Sequence, residues 1–235
     1  MKQTKIPVTG QAEKNKPKQR IVKIKNAPAS ERSDGRETRE HIIECAGKLF
    51  ALHGYDKTTS KSICKMARVN LAAVNYHFGS RDGLYIAVLE EVHNRLTEFD
   101  SLAKIETSSE PPRQKLEMLL DFFITSAFQR NNWEARLWAR EIFTPSPFLH
   151  IVISRKVLPK FSIGATVFSE YLQYSSDDPR LYAAMLQIMS PFVILFLGQN
   201  HPLKDQLPVH VSQETLLRQM RDNALKTALA LRNPG

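Results

Sequence analysis

The stretch from Gly54 to Tyr85, GYDKTTSKSICKMARVNLAAVNYHFGSRDGLY, decides the fold of this chain. Near its centre, Leu71, Val74 and Phe78 are three and four residues apart, so they share one face of a helix and are expected to hold it against the core. Burial does not explain the run Asn-Tyr-His at residues 75–77, because three consecutive side chains point in different directions around a helix. These polar-tipped residues indicate a helix that contacts something besides its own core.

A second short helix precedes this one. It is predicted to start near Thr58 or Thr59 and to present Ile63 and Met66 to the helix before it, while Asn70 begins the next helix as its N-cap. Three apolar residues are expected to fix the crossing of the two short helices: Ala67, Val69 and Val74. Two such helices joined by a tight turn, after a longer first helix, form a helix-turn-helix, whose second short helix enters the DNA major groove. Other helical hairpins share this spacing.

Capping signals mark the helices on either side. Asp34 with Glu37 three residues later resembles a capping box, so the first helix is predicted to begin at Asp34 and to end at Gly54. Gly79 is predicted to end the recognition helix, and Ser80 to cap a longer fourth helix.

The rest of the chain also has a helical periodicity. Five further helices are predicted at about 111–130, 133–143, 147–174, 179–198 and 212–232. Pro159 and Pro191 fall inside these patterns and are expected to kink or divide them. No alternating strand pattern occurs, so the predicted fold class is all-α.

The basic residues are concentrated at the start of the chain. The 235 residues have a net charge of +9 and a pI near 9.6, which favours a polyanionic partner. The first thirty residues hold eight lysines or arginines against one acid, Glu13, and few large apolar side chains. We therefore predict a disordered basic arm over residues 1–33, either a solvated tail or a segment that lies along DNA phosphates.

Cysteine usage and hydropathy predict a cytoplasmic protein with no membrane partner. Cys45 and Cys64 fall at apolar helical positions and are interpreted as buried hydrophobic residues in a reducing compartment. The N-terminal segment has no continuous apolar run of the kind a signal peptide needs. The most apolar run, Ala183 to Leu197, is interrupted by two polar residues and a proline, which argues against a spanning helix.

Five short motifs follow one another in the stretch that opened this section: Gly54-Tyr55, Thr58-Thr59, Ile63-Cys64, Tyr76-His77-Phe78 and Ser80-Arg81-Asp82-Gly83-Leu84. Their order resembles the DNA-binding domain of the TetR family of bacterial repressors. Residues 138–180, with WAREIFTPSP, VLPKF and DDPR, further resemble the C-terminal effector domain of the CecR-like branch of that family. The resemblance implies a helix-turn-helix DNA-binding domain over 34–80 and a helical effector-binding and dimerisation domain over 81–235.

The resemblance also implies which residues meet DNA. Four residues are expected to face the major groove: Asn70, Ala72, Ala73 and Asn75. Five are expected to meet the phosphate backbone: Thr59, Ser60, Tyr76, His77 and Arg81. His77 has an alternative interpretation, a structural hydrogen bond to the fourth helix. Arg68 stands where the family usually has a glycine in a left-handed turn, so either the turn is rebuilt or Arg68 contributes a phosphate contact, with an ordinary surface arginine as the alternative.

Aromatic residues are dense in the second half of the chain. Core packing explains any one of them, yet together with a few polar anchors they suit an apolar ligand cavity. The candidate ligand-binding residues are Phe122, Phe123, Trp138, Arg140, Phe143 and Phe192. A small-molecule effector bound there would shift the population between conformations with different spacing of the recognition helices.

The helix predicted over 179–198 is apolar nearly all round, which predicts burial on several sides. Paired with the last helix across a two-fold axis, it would form a four-helix bundle, the homodimer contact that the family resemblance implies. Two recognition helices about one DNA turn apart would then read a palindromic operator on double-stranded DNA.

Motifs of catalysis are missing from the sequence. It contains no His-Glu-x-x-His, no phosphate-binding loop, no Gly-x-Ser-x-Gly and no paired-cysteine zinc spacing. We therefore expect no catalytic residue, metal ligand or cofactor. The resemblance and the aromatic set together imply a repressor released from its operator by a small apolar or aromatic ligand. The alternative is a nucleoid-type protein that binds DNA without sequence preference and without an inducer.

Overall fold

The computed structural model describes residues 29–128, 133–198 and 212–233. Every regular element in these ranges is helical, which confirms the all-α prediction. Of the predicted basic arm, residues 1–28 lie outside the described residues, whereas residues 29–33 already belong to the first helix.

Eleven helices and one π-helical segment are described. They are α1 Ala29–His53, α2 Ser60–Ala67, α3 Leu71–Phe78, α4 Arg81–Leu96, α5 Phe99–Glu106, α6 Pro112–Phe128, α7 Trp133–Phe143, α8 Leu149–Val152, the π segment Ile153–Val157, α9 Leu158–Leu172, α10 Pro179–Gly198 and α11 Gln213–Ala230.

The predicted start of the first helix was wrong. Helix α1 begins at Ala29, so Asp34 lies inside it and does not act as an N-cap. The Asp34 carbonyl instead accepts a hydrogen bond of 2.8 Å from the hydroxyl of Thr38 one turn later. A capping box is a local signal, and it gives way when the preceding residues continue the helix.

Two other elements differ from the sequence prediction. Helix α5 was not predicted, and the helix expected over 147–174 is divided into α8, the π segment and α9. Pro159 is the second residue of α9, where its missing amide hydrogen is tolerated, so the proline marks the division as expected. Pro191 lies inside α10, which continues to Gly198.

Buried apolar residues form two clusters. The first joins α1 to α4 with α7, α8, Ala127 of α6 and Phe196 of α10. The second joins α5, α6, α9, α10 and α11. Phe123 of α6 packs against both clusters. Because the first cluster continues across residue 80, the domain boundary expected there stays a proposal.

Helix α10 is buried on one side and apolar on the other. Its buried side holds Leu181, Ile188 and Phe192, whereas Leu186 and Ile194 are 70% and 69% exposed. Among the described residues, α10 is the one helix long and apolar enough to cross a membrane, with a mean hydropathy of 1.9. The core helix of a water-soluble protein passes the same test. Within this single chain, the burial predicted on several sides is therefore found on one side only.

Candidate DNA interface and ligand cavity

Helix α2 begins with a complete capping box at Thr59. The Thr59 hydroxyl accepts a 3.1 Å hydrogen bond from the amide of Ser62, and the Ser62 hydroxyl accepts one of 3.2 Å from the amide of Thr59. Thr59 is exposed and Ser60, the first residue of α2, is half-buried. The start of α2 therefore presents hydroxyl groups and helix-terminal amides at the surface, a combination that favours anions.

The turn between α2 and α3 is left-handed despite its arginine. Arg68 has φ 54° and ψ 37°, the left-handed conformation that usually belongs to glycine. The amide of Val69 closes the turn with a 3.1 Å hydrogen bond to the Cys64 carbonyl. The side chain of Arg68 is exposed. The turn is thus not rebuilt, and its strain of about 1 kcal/mol is retained.

The two short helices pack mostly as predicted. Ile63, Ala67 and Val74 are at most 3% exposed. Met66 and Leu71 are exceptions, because they are 41% and 51% exposed and do not hold the helices down as expected. Leu71 is the first residue of α3, and the first two residues of that helix both lie at the surface.

The N-cap of α3 confirms the predicted helix start. The side-chain oxygen of Asn70 accepts a 2.8 Å hydrogen bond from the amide of Ala73. That oxygen is therefore engaged within the protein, and only the side-chain amide nitrogen of Asn70 is left for a base edge.

The outer face of α3 carries the remaining groove-facing candidates. Ala72 and Asn75 are exposed and Ala73 is half-buried. Tyr76 is 85% exposed, with its ring centroid 5.0 Å from that of His77. Within the described part of the chain, His77 makes ring contacts and no hydrogen bond to α4, so the alternative structural role is not realised. Its imidazole remains available at this face.

Arg81 is engaged inside the protein. Its Nη1 donates a 3.0 Å hydrogen bond to the Thr58 carbonyl, and its guanidinium lies 4.1 Å from the centroid of the Tyr55 ring. The Tyr55 hydroxyl in turn donates to Asp82. Arg81 therefore fastens the first turn of α4 to the loop between α1 and α2, and any phosphate contact must use its remaining donors.

A small cavity of about 150 Å³ lies among α4, α6, α7 and α10. Its lining is largely apolar and aromatic: Leu96, Phe123, Ala127, Trp138, Ile142, Val193, Phe196 and Leu197, together with His93 and Thr97. Of the ligand-binding candidates, Phe123 and Trp138 line this cavity. Phe192 is buried behind Phe123, with a distance of 6.4 Å between the ring centroids.

The other three ligand-binding candidates lie elsewhere. Phe122 packs in the second cluster, and Phe143 is 72% exposed. Arg140 lies against Gly54 at the end of α1, and its Nη2 approaches the Leu52 carbonyl at 3.4 Å. There it lines a separate, polar cleft between the loop after α1 and the segment after α7. The sequence could not locate these three, because their surroundings depend on contacts with distant residues.

Sequence reasoning missed two residues beside the cavity, His93 and Lys160. Lys160 is 6% exposed, and its ammonium donates to His93 Nδ1 at 3.0 Å, to the His93 carbonyl at 2.9 Å and to the Thr97 carbonyl. Burial, with a smaller effect of Lys156, lowers the pKa of Lys160 to about 8. Burial, followed by the positive charge of Lys160, lowers the pKa of His93 to about 4. His93 is therefore neutral at pH 7.

Metal coordination has no structural support in the described residues. No group of three or more histidine, cysteine or acidic side chains that could hold a metal ion occurs in the ranges that the structure covers.

Two family models match the chain. Residues 42–88 match the N-terminal domain of "Bacterial regulatory proteins, tetR family". Residues 112–231, half of the chain, match the "HTH-type transcriptional dual regulator CecR, C-terminal domain".

The chain is also similar to individual transcription regulators. A 31% identical match over 85 residues to the transcriptional repressor NicS of Pseudomonas putida covers 36% of this chain and 39% of that protein. The dual regulator CecR of Shigella flexneri is 19% identical over 71% of this chain and 78% of its own length. The structure of the fatty acid degradation regulator FadR from Bacillus halodurans has a TM-score of 0.61 at 17% identity, over 80% of this chain and 94% of that one. At that identity the structural likeness shows the fold.

Proposed function

Since the chain belongs to the TetR family of bacterial transcription regulators, with a C-terminal domain of the CecR type, we propose that it is a repressor that leaves a palindromic operator when a small apolar or aromatic molecule binds its helical domain. DNA-binding regulation, and not catalysis, is the activity of this family. The operator, the direction of regulation and the ligand belong to the proposal.

The outer face of α3 carries this proposal. An exposed tyrosine, an exposed asparagine and small alanines lie on a short helix whose other face is buried through Val74. Small side chains permit close approach to the groove and contact with thymine methyl groups, and Asn75 has the paired donor and acceptor that match an adenine edge. We assign base contacts to Ala72, Ala73 and Asn75, with the free amide nitrogen of Asn70 beside them.

Backbone contacts are assigned to the residues around this face. Thr59 and Ser60 present the start of α2, Tyr76 and His77 flank the groove-facing residues, and Arg68 projects from the turn. Phosphate contacts of this kind position a protein on DNA and carry no sequence information themselves. Arg81 contributes through its remaining donors and by holding α4 in place.

We assign the exposed apolar face of α10 to a homodimer contact. Tyr182, Leu186, Val193 and Ile194 expose their side chains along one side of this helix. On α11, Leu229 is 59% exposed. Exposed large apolar side chains along one side of a helix are typical of a protein interface. To read a palindrome, a two-fold pairing there has to place two copies of α3 on successive major-groove turns, about 34 Å apart.

Helix α4 links the cavity to the DNA-binding half. Its first residue, Arg81, is fastened to the loop before α2, and its last turn lines the cavity through His93 and Leu96. In the second turn of α4, the Tyr85 hydroxyl donates a 2.5 Å hydrogen bond to Glu141 of α7. A helix of 16 residues is about 24 Å long, so a tilt of about 5° displaces its far end by about 2 Å. A ligand that favours one tilt therefore changes the spacing of the recognition helices.

The test is selection of bound fragments from the genome of the source organism, followed by competition with scrambled DNA. A repressor of the proposed kind selects one palindromic sequence and releases it when a ligand is added. Equal binding to selected and scrambled DNA would favour the nucleoid-type alternative. We expect the protein in the cytoplasm, where its operator is.

A further inference from the structure

We propose that the cavity among α4, α6, α7 and α10 takes a small organic acid with a single ring, whose carboxylate accepts a hydrogen bond from His93 Nε2. This proposal rests on the proposed function and names the chemical class of its effector. It assigns His93 as the residue that selects an acid over a neutral molecule of the same shape.

The tautomer of His93 is fixed by its neighbour. An ammonium group can only donate, so the 3.0 Å contact between Lys160 and His93 Nδ1 requires that Nδ1 accept. In the neutral ring the hydrogen is then on Nε2. Because the pKa of His93 is lowered by burial, the neutral ring is the form present at pH 7.

The Nε2 hydrogen has no acceptor in the described part of the chain. His93 is 7% exposed and lines the cavity, and its ring packs edge to face with Trp138 at 5.2 Å between centroids. Glu134 Oε2 is the one fully buried side-chain polar atom without a partner in the described residues, so His93 Nε2 is open to the cavity and can donate to an acceptor that enters.

The charge near the cavity is positive. Lys160 donates to an imidazole nitrogen and two carbonyl oxygens and forms no ion pair with a carboxylate of the described residues. The positive charge of Lys156 also lowers the pKa of both Lys160 and His93. Among the described residues, no acidic side chain lines the cavity. A carboxylate on His93 Nε2 would therefore extend a chain of hydrogen bonds that ends on a buried cation, which strengthens each bond in the chain.

The size of the cavity limits the rest of the molecule. An apolar cavity of about 150 Å³ accommodates a molecule of the size of benzene. Phe123, Trp138 and Phe196 supply aromatic walls, which suit a ring. A benzoate or phenylacetate skeleton is the class that fits both the walls and the donor.

A purely structural role of the pair predicts something different. Lys160 caps the last turn of α4 by donating to its terminal carbonyls, a favourable arrangement for a cation at a helix C-terminus. If that were the whole role, acids and neutral isosteres would bind equally well, and His93 Nε2 would donate a hydrogen bond to neither of them.

The experiment measures affinities of matched pairs for the full chain by calorimetry at pH 7. The pairs are benzoate with benzamide and phenylacetate with phenylacetamide. At least one acid should bind about tenfold or more tightly than its amide, the ratio expected for a hydrogen bond with a charged acceptor. His93→Phe should remove this preference, His93→Gln should retain part of it, and His150→Phe, at an exposed histidine of α8, should leave it unchanged.

A second measurement does not depend on any variant. The ¹⁵N resonance of His93 Nε2 in the wild-type protein should shift further with saturating preferred acid than with its saturating amide, because the amide oxygen is an uncharged and weaker acceptor. If no acid of the panel binds more tightly than its amide, or if the preference survives in a folded His93→Phe protein, the inference is wrong. Operator selection is measured separately, so a protein that selects an operator but shows no acid preference loses this inference alone.

Discussion

Protonation of His93 should make the protein less stable in mild acid. The folded protein lowers the pKa of this residue to about 4, whereas an unfolded chain restores it to about 6.5. Between these two values the unfolded state binds more protons than the folded state, so the free energy of unfolding rises with pH. The stability that the neutral ring provides is present above pH 6.5 and is lost as the pH falls toward 4.

The size of this effect follows from the two pKa values. Lowering the pH from 7 to 5 leaves the unfolded histidine almost fully protonated and the folded one mostly neutral. The linkage relation then gives a loss of about 2 kcal/mol from this single group. The loss is an upper figure if the cavity admits water when the ring becomes charged.

Urea unfolding of wild type and His93→Gln at pH 7 and pH 5, at one protein concentration, measures the effect. Because glutamine does not titrate, the free energy of unfolding of the variant should fall by about 2 kcal/mol less than that of wild type between pH 7 and pH 5. Other titrating groups contribute equally to both proteins and cancel in the difference. His150→Gln, at an exposed position, serves as the matched control and should behave like wild type. If wild type and His93→Gln lose the same stability, the buried neutral histidine is not the origin of the acid sensitivity.

Four further predictions address the DNA interface and the dimer. Arg68→Gly should raise the free energy of unfolding by about 1 kcal/mol, because it relieves the left-handed strain. If Arg68 neutralises a phosphate, the same variant should also flatten the salt dependence of DNA binding. Asn75→Ala should weaken binding to the operator by about 1 to 3 kcal/mol per half-site and leave the affinity for scrambled DNA unchanged. In the same titrations, Tyr76→Phe should weaken binding to both DNAs by similar factors. Ile194→Asp should yield monomer in sedimentation, and a wild-type monomer at micromolar concentration would contradict the dimer. Deletion of residues 1–28 should preserve the selected sequence and lower affinity only at low salt.

The helix-turn-helix was predictable because its signals are local. Thr59, Asn70 and Ser80 each accept a hydrogen bond from an amide three residues later. A capping interaction over three residues can be identified from residue types alone. The same locality misleads at Asp34, where the capping pattern is present and the helix simply begins earlier.

The ligand cavity was not predictable to the same degree, because its key contacts are distant in sequence. Lys160 reaches His93 across 67 residues, and Arg140 reaches Leu52 across 88. Hydrophobic periodicity indicates which aromatic residues are buried, but not which of them border empty space. Of the aromatic residues proposed from composition, Phe123 and Trp138 border the cavity, whereas Phe143 is exposed.

Two cations hold α4, and the way they do so determines how a ligand acts on it. Arg81 at its first turn and Lys160 at its last both donate to backbone carbonyls. Lys160 also donates to His93 Nδ1, and a carboxylate on Nε2 would increase the electron density at Nδ1 and strengthen that bond. The acid would thus tighten the last turn of α4 onto α9 through the ring of a residue that α4 itself carries. A helix fixed more firmly at its cavity end samples fewer tilts. Arg81 transmits that restriction to the Thr58 carbonyl in the loop before α2, which leads into the helix-turn-helix.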